Sequence, residues 1–273
     1  MSGPYRAFSN LVYRVLQSGT MTENRTGTPA LTTFGESLAV DLAYGFPAIS
    51  EKKLAFKTMA GELACFLKGH TDIREFHKRG VRIWDANLKA ANDKDGTPDS
   101  TDLGPIYGAQ WRDFGGVDQL RKVINEAKSN PMSHRLLVSA WNPPELDAGV
   151  LPPCHTHWQI DLHDGRVNMA FYMRSVDVML GLPFDLASYA LLQTLIANEL
   201  QMLPGKLVGY FANAHIYANH LDAAKEILTR TPYQYPELQL NMMPSAPVEA
   251  FEPEYAKLVG YKYHEAIPLP MAV

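Results

Sequence analysis

Cys154 closes the run Leu151-Pro152-Pro153-Cys154-His155, where two prolines stiffen the approach and leave a thiol at the entrance of an alternating segment. A cysteine becomes a useful nucleophile when a nearby cation favours the thiolate. Arg174, in Met173-Arg174-Ser175, is the candidate cation. The same thiol, with His155 and His157, also reads as part of a metal set. Zinc asks for three or four ligands at a recognisable spacing. Only Cys65 and His163 remain to complete one, and no CxxC or HxxxH pattern supports it, so no metal is expected.

The elements that must position these groups follow from periodicity. Phe56, Met59, Ala60, Leu63, Phe66 and Leu67 recur at helical spacing over Phe56–Leu67, with Gly69 as the stop. Glu62 sits beside that apolar stripe. Leu186–Leu200 is apolar nearly all round, which predicts a helix buried on most sides. Strands are expected at Leu136–Trp141, Thr156–Leu162 and Val167–Tyr172; the last two are joined by His163-Asp164-Gly165-Arg166, a tight-turn signal, into an antiparallel hairpin. Residues 91–102 (ANDKDGTPDSTD) read as a surface loop, and the chain after Arg230 as proline-rich and irregular. Strands and helices mix without a βαβ rhythm, so the expected class is α+β, one domain over 1–273. The sheet is expected to be mixed or antiparallel and packed on helices; an antiparallel sheet needs one face covered, and a second subunit can supply the cover.

Composition excludes more than it identifies. With 46% apolar residues, 20% charged residues and a formal net charge of −4, the chain is an ordinary soluble one with enough material for a sizeable core. A net-negative chain without a basic run does not suit a nucleic-acid partner. Two distant cysteines suggest reduced thiols. No apolar run approaches a bilayer span, and the first residues lack a signal-peptide pattern, so a cytoplasmic protein without membrane contact is expected.

Taken together, the motifs carry a resemblance. Glu23-Asn24-Arg25-Thr26-Gly27-Thr28, Gly61-Glu62-Leu63, Ile83-Trp84-Asp85 and Leu103-Gly104-Pro105-Ile106-Tyr107-Gly108 occur in this order. They are followed by Pro153-Cys154-His155 with Gln159, then Arg174-Ser175, Gly181-Leu182-Pro183-Phe184 and His215-Ile216-Tyr217. The series resembles the thymidylate synthases and the related deoxycytidylate hydroxymethylases over essentially the whole chain. The resemblance implies a homodimer with shared active sites and 5,10-methylenetetrahydrofolate as co-substrate. Cys154 would add to C6 of a pyrimidine nucleotide, making C5 a nucleophile toward the folate methylene. Arg25, Arg174 and Ser175 would hold the phosphate, joined by Arg135 from the partner subunit, and Gln159 would also contact substrate. Glu62 would manage protons through water, Tyr107 would assist proton loss from C5, and His215 and Tyr217 would bind the deoxyribose. Trp84, Asp177 and the tail 268–273 ending in Val273 would face the folate.

Three departures matter. The family's pair of partner arginines is His134-Arg135 here, so an imidazole that is only partly charged replaces one guanidinium. Met173 stands where thymidylate synthases carry glutamine. Asp185 replaces the asparagine that reads uracil, and a carboxylate matches the N4 amino donor of cytosine, whereas uracil presents O4 as an acceptor. The last two departures match the hydroxymethylases, so the expected reaction is hydroxymethylation of dCMP. Methylation of dCMP to 5-methyl-dCMP, or of dUMP to dTMP, is the alternative, since the tail looks like the flap of a methylating enzyme. A non-catalytic nucleotide-binding module is the remaining class, but it would not need to keep Cys154, Glu62 and Arg174.

Overall fold

The computed structural model describes residues 3–24 and 27–270. In chain order the elements are α1 (Ala7–Ser18), β1 (Thr20–Thr22), β2 (Ala30–Asp41), α2 (Phe56–Leu67), α3 (Ile73–Lys78), α4 (Asp85–Asp95), α5 (Tyr107–Arg112) and α6 (Gln119–Ser129). They continue with β3 (Leu137–Ser139), β4 (His155–His163), β5 (Arg166–Asp177), α7 (Gly181–Leu200), β6 (Leu203–Tyr217), α8 (Leu221–Thr229), β7 (Glu237–Leu240) and β8 (Ala256–Val259). A six-stranded sheet runs β1-β2-β6-β5-β4-β3, and β7 and β8 form a separate antiparallel pair. This is the α+β architecture that the element pattern predicts.

α2 occupies the span its periodicity predicts, with Met59 to Leu67 all buried. Its chain turns away at Gly69, where φ is +71° and a side chain would be strained. The β4–β5 hairpin also forms as expected: Asp164 and Gly165 take φ of +49° and +70°, the pair of positive angles a two-residue turn requires. β5 runs five residues further than the alternation suggests, so Arg174 and Ser175 lie within the strand.

The sheet is mixed, one of the two arrangements expected for it: β5 and β6 pair in parallel, and the 20-residue α7 makes the crossover between them. Three expectations need correction. α7 begins at Gly181 rather than near Leu186; Pro183 is tolerated because the first turn has no intrahelical acceptor for its missing N–H. Residues 91–102 are not all loop: α4 continues to Asp95, burying Leu88 and Asn92, and ends at Gly96 in the left-handed region. In the stretch after Arg230, the short β7–β8 pair is ordered where irregular chain is expected, since four-residue strands leave little periodic signal.

One sheet face is packed. Trp158 meets Trp111 of α5, Phe171 stacks on Tyr189 of α7, and the Gln193 side-chain amide bonds the backbone carbonyls of Val167 and Lys206, fastening α7 across both parallel strands. The opposite face carries His157 stacked on Tyr172, with Gln159, Leu137 and Tyr210 in the same cross-strand rows. Phe34 on β2 is 86% exposed and Tyr210 49%.

α2 and α5 approach so closely at Gly108 that an added Cβ would stand 2.6 Å from the Phe66 Cα, a backbone atom that cannot yield alone. Gly108→Ala should therefore cost about 1–3 kcal/mol through overpacking, measured by urea unfolding.

Candidate active site

Cys154 sits at the end of a proline strap laid across β5. The Arg174 guanidinium fixes the strap: Nε donates to the Pro153 carbonyl at 2.8 Å and Nη2 to the Pro152 carbonyl at 3.0 Å. Prolines lack N–H groups but keep carbonyls, so the strap can accept from an arginine without rearranging. Nη2 also lies 3.9 Å from Cys154 Sγ, a permanent positive charge where a thiolate would form. From the other side, the Cys154 N–H donates to Tyr107 Oη at 2.9 Å. Burial, and secondarily the Cys154 charge, push the Tyr107 hydroxyl well above its usual range, so it stays protonated.

Beside this strap opens a cleft of about 540 Å³, lined by Glu62, Trp84, Tyr107, Asp177 and Asp185 among others. Helices α2, α5 and α7, the residue that precedes α4 and the end of β5 bring these expected residues together. Glu62 is buried on α2 and its Oε1 accepts from Trp84 Nε1 at 2.7 Å. Burial raises its carboxyl to about 8, against the opposing Trp84 bond and with a smaller push from Asp185. It is a carboxyl poised to hold or release a proton near neutrality. Asp177 Oδ1 accepts from the backbone N–H groups of Met179 and Leu180, closing the turn into α7. Lys52, on the same wall, donates to the Met179 carbonyl at 2.5 Å, and burial lowers its ammonium to about 8 although Asp177 opposes that shift.

His215 and Tyr217 lie on β6, with His215 paired to Asp177 in register and its Nδ1 2.9 Å from Asn213 Oδ1. Burial lowers the His215 pKa, which favours a neutral ring. Ser175 is half-buried on β5, next to Arg174. Gln159 does not join the cleft: it alternates with the packed Trp158 and so faces the other side of the sheet. Arg135 is exposed, away from this cleft. Arg25 and Val273 lie outside the described residues. Among the described residues, no three His, Cys, Asp or Glu side chains converge as a metal set.

Sequence reasoning missed the part played by His155, considered only as a metal ligand. A register shift between His155 and His157 turns His155 toward the packed side, opposite Met173, whereas His157 faces outward. His155 Nε2 then stands 3.0 Å from Asp185 Oδ1. Its position next to Cys154 was the available signal; the bulge that aims it leaves none.

The thymidylate synthase family profile matches residues 6–273. The chain is 43% identical over 246 residues to the thymidylate synthase of Enterobacteria phage T4, covering 88% of this chain and 86% of that one. It is 39% identical over 282 residues to the thymidylate synthase of Mycoplasma genitalium, covering 96% and 98%. A nucleophile strapped beside a guanidinium, opening on a cleft with a buried carboxyl, is thus the site of a C5-pyrimidine methyltransferase. The chain belongs to the thymidylate synthase family, whose members use methylenetetrahydrofolate as co-substrate. Among the described residues no helix is long and apolar enough to cross a membrane.

Glu62 carries a proton in the fold that the unfolded chain releases above about 4.5, so wild-type stability declines as pH rises toward about 8. Glu62→Gln removes that decline. Its stability relative to wild type should therefore grow across this window and level off above it, read by thermal unfolding at stepped pH.

Proposed function

We propose that this chain transfers a methylene group from 5,10-methylenetetrahydrofolate to C5 of dCMP and reduces it, giving 5-methyl-dCMP and dihydrofolate. The observation that carries the choice of base is the Asp185 carboxylate on the cleft wall, held by His155. The N4 amino group of cytosine donates to a carboxylate, whereas uracil O4 would meet another acceptor. Such a mismatch costs about 1–3 kcal/mol when buried, roughly 5- to 150-fold in kcat/KM. The choice of methyl over hydroxymethyl follows the relatives: both carry the name thymidylate synthase, so the reductive alternative replaces the hydroxymethylation expected from the sequence. That shared name also supports a second reading, methylation of dUMP to dTMP.

In the proposed reaction the Cys154 thiolate adds to C6 and C5 attacks the folate methylene. Glu62 and the protonated Tyr107 manage protons around C5 before Cys154 leaves. Splitting the transfer into addition and elimination makes an unreactive C5 nucleophilic. Arg174, Ser175 and Arg25 take the phosphate, with Arg135 of a second copy. His215 and Tyr217 complete the nucleotide site, whereas Gln159 faces out on the other side of the sheet and is left out of it. The apolar surfaces of Ile83, Trp84, Leu180 and Phe184 suit the folate ring system, with Asp177 on the same wall; the tail 268–273 is assigned to the folate by the family resemblance alone. The outward aromatic sheet face is the proposed homodimer contact.

Tritium release from [5-³H]dCMP with methylenetetrahydrofolate should exceed that from [5-³H]dUMP, and Asp185→Asn should shift the preference toward dUMP. A wild-type preference for dUMP would overturn the dCMP reading. Dihydrofolate formation, followed by its absorbance, should match turnover; turnover without dihydrofolate would restore hydroxymethylation. In sedimentation Tyr210→Glu should shift a dimer toward monomer.

A further inference from the structure

The His155–Asp185 pair has a setting that a simple ion pair does not need. Both side chains are mostly buried at the cleft, and the His155 ring is held between two aromatic rings, 4.7 Å from Tyr107 and 5.4 Å from Tyr189. Tyr189 is buried and its Oη has no hydrogen-bond partner among the described residues. The ionisable groups facing the pair are Tyr107 from α5, Tyr189 from α7, Glu62 from α2 and the adjacent Cys154. Tyr107 and Tyr189 are kept as neutral phenols by burial. The rings fix His155 so that Nε2 meets Asp185 and can reorient little.

Cytosine makes a demand that uracil does not. When a thiolate adds to C6, the C5=C6 electron pair moves into a C4=C5 bond and the C4=N3 pair is left on N3. In uracil the equivalent charge goes to O4, and N3 already carries a proton. Addition to cytosine is therefore easier if N3 receives a proton as the sulfur–carbon bond forms.

We propose that His155 is a positioning residue that supplies this proton through Asp185; the inference rests on the dCMP reading. One proton is shared along the 3.0 Å contact between Nε2 and Oδ1. As Sγ bonds to C6, the proton passes from the Asp185 carboxyl to N3. Neutral His155, ionised Asp185 and a neutral N3–H adduct remain. The charge of the thiolate is cancelled by the charge His155 gives up. When C5 loses its proton and Cys154 departs, N3 returns its proton to the pair. His155 thus makes one carboxylate serve two neighbouring groups on one edge of cytosine, accepting from N4 and donating to N3.

The test compares kcat/KM for dCMP and dUMP in the wild-type chain and in His155→Gln and His155→Asn, with thermal unfolding as the check on folding. Each amide keeps a hydrogen bond but cannot pass on a proton. The dCMP value should fall about a hundredfold, and the dCMP:dUMP ratio should fall with it. Equal losses on both nucleotides would reduce His155 to a structural role and overturn the inference while leaving the dCMP reading intact. A wild-type preference for dUMP would instead remove the reading beneath it. If neither variant folds, NMR of the His155 ring in the wild-type chain decides. Nε2 should be protonated in the free protein and deprotonated in the stalled adduct with 5-fluoro-dCMP; an unchanged ring would overturn the proposal.

Discussion

The Arg174 guanidinium is the constraint on which the rest of the site depends. It bonds two successive proline carbonyls, stands beside the nucleophile's sulfur, and is itself carried on a central strand. The strap cannot hold itself in place, because Pro152 and Pro153 have no N–H to contribute to a ladder. With Arg174 in place, Cys154 can be reached by Tyr107, and the bulge that follows can turn His155 inward. A phosphate-binding role would ask the same guanidinium to face both ways, toward the strap and toward an anion, which its fan of five N–H donors allows.

Around that point the site draws on several environments of unequal polarity. Glu62 is dry enough to keep its proton near neutrality, and burial keeps the Tyr107 hydroxyl protonated as well. Lys52, nearer the opening, is held by a backbone carbonyl and loses part of its affinity for a proton. Depth of burial separates groups that would otherwise titrate in their ordinary ranges, so acid and base functions can coexist within one cleft.

Much of this was legible in the sequence, though unevenly. α2 and the β4–β5 hairpin were readable because a repeated apolar spacing and an Asp-Gly turn are local signals. The extent of β5, the parallel pairing of β5 with β6 and the β7–β8 pair depend on contacts between distant segments and leave no local trace. The motif around Cys154 and Arg174 named the nucleophile and its cation, and Asp185 marked the departure at the base. Why Asp185 is paired could not be read, since a one-residue shift in strand register decides which histidine faces in. Gln159 shows the same limit from the other side: the motif includes it, yet strand alternation turns it away from the cleft.

The long pairing of β2 with β6, which joins residues 30–41 to residues 206–217, also bears on how the chain is made. β2 leaves the ribosome early and must wait for its neighbour until most of the polypeptide has been synthesised. Non-local pairing of this kind closes a large loop before it gains contacts, so it forms slowly. Through that interval the β6 side of β2 stays unpaired, a liability that a nascent chain carries until β6 emerges. The nucleophile's supporting strand, β5, gains its parallel neighbour in the same late event. A truncated product therefore has the cysteine without the scaffold that makes it reactive.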